Sequence, residues 1–91
     1  GRKNIQGAPD LVVEILSEFT ADYDLTKKKR LYAKFGVREY WMVDPGGKTV
    51  EIHSLKNGAF VLDNTFSEND DLVSPLFPRL RIRLSTVFAF L

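Results

Sequence analysis

The chain has 91 residues, 13 Lys plus Arg against 12 Asp plus Glu, and a formal net charge of +1. It is therefore one small domain or a piece of a larger one, with no global charge drawing it to nucleic acid or an anionic membrane. The 44% hydrophobic content, with seven Phe, three Tyr and one Trp, is that of a globular chain. The absence of Cys excludes a disulfide scaffold, a Cys-ligated metal centre and thiol catalysis, and a single His excludes a His-rich zinc site.

Residues 1–9 are polar and contain Gly7 and Pro9, so they read as a lead-in. No apolar core follows the opening basic residues, so it is not a secretory signal and reads like a chain cut inside a loop. No apolar run anywhere approaches the ~20 residues of a membrane-spanning helix. With no Cys, the composition fits a reducing cytoplasm, and a cytoplasmic location without membrane attachment is expected.

The run Leu11-Val12-Val13-Glu14-Ile15-Leu16 predicts a short strand, apolar on both faces as in a covered central strand. Residues 17–23 form a polar connection. Asp24 is placed as a helix N-cap, residues 25–35 have helical spacing, and Gly36 stands where a C-cap glycine belongs. Glu39-Tyr40-Trp41-Met42-Val43-Asp44 predicts a second strand. Pro45-Gly46-Gly47 is a turn, and residues 48–55 are the returning strand. Asn57-Gly58 signals another hairpin before a strand over residues 59–62. Residues 67–71 read as a solvated acidic loop. Leu80, Ile82 and Leu84 alternate with Arg79, Arg81 and Arg83 as a late one-sided strand, and Ser85 is placed as the cap of a last short helix. The fold class is α/β or α+β, a mixed sheet with a packed helix, and the first strand, helix and second strand fit a crossover unit.

Two residues break this pattern. Alternation puts Asp10, Val12, Glu14 and Leu16 on one face of the first strand, so Glu14 lies among apolar neighbours. A carboxylate there must be paired, protonated or bound to metal, because an unpaired buried charge costs several kcal/mol or more. A structural ion pair and a functional site both satisfy that need. The second residue is Lys28. At 100° per turn step from Leu25, Tyr32 falls near about −20°, Phe35 near about −80° and Lys28 between them at about −60°. Lys27 and Arg30 fall on the far side, and Lys29 at the margin. Lys28 thus faces inward, either snorkelling past the core or meeting Glu14 at the strand–helix interface. A Glu–Lys pair beside Mg²⁺ is suited to phosphodiester hydrolysis. The carboxylate holds the ion, and the ammonium stabilises charge or steers the nucleophile.

The stretch Gly7-Ala8-Pro9-Asp10-Leu11-Val12-Val13-Glu14-Ile15-Leu16-Ser17 resembles the core signature of the Uma2 family of restriction-endonuclease-like proteins. Further matches follow in order: Thr20, Asp24, Lys28, Tyr32, Gly36-Val37, Glu39-Tyr40-Trp41-Met42-Val43-Asp44-Pro45, Ser74-Pro75-Leu76 and Pro78-Arg79-Leu80. The resemblance implies the PD-(D/E)XK nuclease superfamily, with a restriction endonuclease-like mixed sheet and an Asp, a Glu and a Lys around a metal. Glu14 matches the acidic member and implied metal ligand. Leu16 stands where the superfamily's lysine usually lies, and Lys28 matches the position to which the family's lysine has moved. The implied function is a Mg²⁺- or Mn²⁺-dependent DNA endonuclease, with Glu14 and Lys28 as catalytic residues.

The family's metal-binding Asp belongs to an upstream Pro-Asp strand. Asp10 is a poor substitute: its Cα is ~13 Å from that of Glu14 along the strand, too far for easy sharing of an ion with ligands at ~2.1 Å. It reads as a strand-opening residue with local hydrogen bonds. Residues 1–91 are therefore expected to be the C-terminal portion of the domain, lacking the N-terminal helix and the Asp-bearing strand, and inactive alone. The sheet edge so exposed predicts a homodimer or swapped assembly. The rival reading is a degenerate fold serving as a non-catalytic binding or assembly module.

The remaining chemistry-bearing residues read as structural. Tyr40 and Trp41 are assigned to packing and His53 to a strand surface. Glu39 is expected to pair with Arg38 or Lys34. The ridge of Arg79, Arg81 and Arg83 reads as a charged edge, with a DNA-backbone contact as its alternative.

Overall fold

The computed structural model describes residues 9–17 and 22–91. The lead-in over residues 1–8, including Gly7 and Ala8 of the signature, and Thr20 lie outside the described residues. The elements are β1 (Leu11–Ile15), α1 (Asp22–Lys34), β2 (Glu39–Asp44), β3 (Thr49–Lys56), β4 (Ala59–Ser67), β5 (Asp71–Val73), β6 (Arg81–Arg83) and α2 (Leu84–Phe90). The first four strands form one sheet in the order β1-β2-β3-β4, and β5 pairs with β6. β1 runs parallel to β2, so the connection needs a crossover, which contains α1. The other pairs are antiparallel. This is the mixed sheet with a packed helix that the element order predicts.

Local chemistry explains the boundaries. α1 ends as expected at Gly36, whose φ of +84° lies in the left-handed region. The Gly36 N–H donates to the carbonyl of Ala33 at 3.1 Å and the Val37 N–H to that of Tyr32 at 3.0 Å, the paired bonds of a Schellman cap. The helix start differs from expectation, since Asp24 lies inside α1 and does not cap it. Phe35, placed on the inward side by its helical angle, is exposed because the helix has already ended at Lys34. At the β3–β4 hairpin Lys56 pairs with Ala59 across a two-residue turn. Asn57 at φ +51° and Gly58 at φ +84° both adopt the left-handed backbone that such turns require.

β4 continues to Ser67 where a stop near Leu62 was expected. Its polar stretch Asp63-Asn64-Thr65 is exposed; the register with β3 shifts by one at Asp63, and pairing then resumes from Asn64 to Ser67. The late strand is shorter than predicted. Leu84 already opens α2, and Ser85 lies inside that helix and does not cap it.

One face of the sheet carries the core: Trp41, Val43, Val50 and Ile52 pack with Leu72, Leu84 and Phe88. α1 covers part of the opposite face. β1 does not fit the prediction of a covered central strand. Among the described residues it is an edge strand. Its Leu11 packs against the core, but Val13 and Ile15 remain exposed because the core layer closes over Trp41 and Val43.

Candidate functional site

Alternation along β1 turns Glu14 toward α1, opposite Met42 in the parallel register. Tyr32 and Lys28 are one helical turn apart, so their side chains arrive together above it. The Tyr32 hydroxyl donates to Glu14 Oε1 at 2.6 Å, and Lys28 Nζ stands 3.5 Å from Oε2. The Glu14 side chain is 19% exposed and that of Lys28 41%. The cluster therefore opens to solvent on the lysine side while the carboxylate is mostly enclosed. The structure brings the two sequence-predicted site residues together. Their helix neighbours follow the predicted angles as well: Lys27 and Arg30 are exposed, and Lys28 and Lys29 are half-buried.

Tyr40 lies beneath this cluster, fully buried, its ring near those of Tyr32 at 5.7 Å, Phe60 at 5.7 Å and His53 at 5.9 Å. Its hydroxyl has no hydrogen-bond partner among the described residues. Burial, reinforced by the negative charges of Glu14 and Glu51, pushes its pKa up to about 12.

Asp10 stands apart from Glu14's partners. Its carboxylate faces Arg38 at 3.7 Å, and its carbonyl accepts the N–H groups of Arg38 and Glu39. This is a local role at the start of the strand. Among the described residues no group of three or more His, Cys, Asp or Glu side chains converges as a metal cage. Glu14 is a hard oxygen donor suited to Mg²⁺ or Mn²⁺, but it supplies only one of the several ligands such an ion needs.

Two sequence expectations are corrected. Glu39 does not pair with Arg38 or Lys34. It is buried, and its carboxylate accepts from the Trp41 indole N–H at 2.6 Å, the Ser74 hydroxyl at 2.5 Å and the Leu76 N–H at 3.1 Å. Its alternation with Trp41 and Val43 was the signal that it faces the core. His53 is not a surface residue: its ring is buried, with Nε2 2.9 Å from Glu51 Oε1 and Nδ1 unpartnered among the described residues. The arginine ridge is partly answered by a carboxylate, since Arg81 and Arg83 stand 3.7 and 3.8 Å from Asp71. Trp41 and Tyr40 are packing residues, as expected.

No curated protein matches the chain. Among solved structures it resembles the crystal structure titled as a "putative nuclease belonging to DUF820" from Anabaena variabilis, at 24% identity and a TM-score of 0.70. The match covers 93% of this chain and 46% of that one, so the chain spans less than half the length of this relative and shares its fold. The family model for Uma2, described as "Putative restriction endonuclease", matches residues 1–85. The chain belongs to the Uma2 family.

Proposed function

We propose that this chain is the Glu14- and Lys28-bearing part of a metal-dependent endonuclease that hydrolyses DNA phosphodiesters. The observation that carries the reading is the convergence of Glu14, Lys28 and Tyr32 at one partly open site in a chain of this family. Glu14 would hold Mg²⁺ or Mn²⁺ together with an Asp encoded upstream of Gly1, and the ion would supply Lewis-acid polarisation of the phosphate. Tyr32 fixes the Glu14 carboxylate by its hydrogen bond. Lys28 places an ammonium at the solvent side of that carboxylate, where it can neutralise charge gathering on the phosphate oxygens or orient the attacking water. The 91 residues alone then have little or no activity. The test is cleavage of supercoiled plasmid by a form carrying the upstream sequence, beside its Glu14→Gln and Lys28→Ala variants. Cutting by the parent and loss in both variants is expected; equal cutting by all three would remove both roles.

A second reading has its own observation. Both Glu14 oxygens already have protein partners, as in a structural ion pair. On that reading the domain is a non-catalytic binding or assembly module, and divalent-metal binding separates the two. In either case the outer edge of β1, unpaired among the described residues, is the proposed contact for a homodimer or swapped assembly.

A further inference from the structure

The flank of α1 away from Glu14 borders a groove of about 290 Å³ against the start of β4, lined by Thr26, Lys29, Arg30, Ala33 and the segment Gly58-Ala59-Phe60. A neighbouring recess shares Thr26 and Lys29 and reaches Leu16 and Met42, the register partner of Glu14. The two recesses follow one side of the helix and end beside the candidate site.

The charges of the groove set it apart. Several cations elsewhere face carboxylates: Lys28 faces Glu14, Arg38 faces Asp10, Lys48 faces Glu68, and Arg81 and Arg83 face Asp71. Among the described residues Lys29 and Arg30 have no such partner, and no carboxylate lines the groove. The floor between these charges is apolar, made by Ala33, Ala59 and the Phe60 ring. Unanswered cations above a small aromatic floor match a phosphodiester strand, whose phosphates alternate with flat bases and sugars.

We propose that this groove holds one strand of DNA, with phosphates on Lys29 and Arg30 and a base or sugar against Phe60. The proposal rests on the endonuclease reading for its ligand and adds a track that leads the strand along α1 to Glu14. It is the pairing of two unanswered cations with the Phe60 floor, not the number of cations, that selects this surface over the Arg81–Arg83 ridge, whose arginines face Asp71.

The test is fluorescence anisotropy of a labelled single-stranded DNA oligonucleotide with the 91-residue chain, in EDTA so that no cleavage intervenes. Lys29→Ala with Arg30→Ala keeps good helix formers in α1. This pair should weaken binding at least about tenfold and lower the salt slope by about 1.4, the value for two single-strand phosphate contacts. Phe60→Ala should weaken binding with the slope unchanged. Arg81→Ala with Arg83→Ala should bind within about twofold of the parent. The groove is overturned if the parent does not bind, if the Lys29/Arg30 pair binds like the parent, or if the Arg81/Arg83 pair loses as much. It is also overturned if a poly-glutamate peptide of equal charge competes as well as DNA. Failure of plasmid cleavage with these binding results intact would instead count against the endonuclease reading alone.

Discussion

Lys28 Nζ and Glu14 Oε2 meet at 3.5 Å between α1 and β1, with the lysine head still reaching solvent. An ion pair so exposed contributes little to stability, about 0–1 kcal/mol. The Tyr32 hydroxyl donates a hydrogen bond to the charged Glu14 carboxylate and contributes more. Urea unfolding should therefore rank Tyr32→Phe, at a loss of about 1–2 kcal/mol, above Lys28→Ala, at about 1 kcal/mol or less. The reverse order would mean that the lysine is held mainly for structure.

Glu39 joins β2 to the segment that follows β5. One buried carboxylate accepts from Trp41, Ser74 and Leu76. Glu39→Ala leaves the indole N–H and the serine hydroxyl inside the protein without their acceptor, at a cost on the order of 3 kcal/mol or more. Glu39→Gln keeps an acceptor oxygen and should lose less. Denaturant unfolding followed by Trp41 fluorescence reads both, and a Glu39→Ala loss under about 0.5 kcal/mol would contradict the assignment.

Tyr40 gives the chain a marked alkaline limit. Its folded-state pKa of about 12 exceeds the ordinary 10.0, so between these values the unfolded chain releases a proton that the folded chain retains. Stability is fully present below pH about 10 and falls as pH rises toward about 12, by at most about 1.4 kcal/mol per pH unit from this group. Because the hydroxyl has no partner among the described residues, Tyr40→Phe should be neutral or stabilising at pH 7 and should flatten the decline. A clear destabilisation of Tyr40→Phe at neutral pH would show that the hydroxyl is bound.

Much of the site was legible because it depends on short-range periodicity. The two-residue period of β1 turns Glu14 one way, and the helical angle of Lys28 turns it to meet the strand. Gly36 and Asn57-Gly58 mark their turns because both demand a left-handed backbone that few residues accept. What escaped depends on partners distant in sequence. Glu39 looked like a strand-end charge until Ser74 and Leu76 closed over it, and burial of His53 needs Tyr40 beside it in the sheet. β4 was cut short because a bulge at Asp63 and the exposed polar stretch after it interrupt the alternation before Phe66 rejoins the core. The edge position of β1 was hidden by its apolar composition, which is the same for a covered strand and for one whose outer neighbour is not among these residues.

The most direct measurement of the central claim is a calorimetric titration of Mn²⁺ into a form carrying the sequence upstream of Gly1, beside its Glu14→Gln and Lys28→Ala variants. The account predicts a binding site in the parent that Glu14→Gln removes and Lys28→Ala retains, since the lysine competes for the carboxylate and does not ligate the ion. No binding in the parent, or the same isotherm after Glu14→Gln, would contradict it and leave Glu14 and Lys28 as a structural pair.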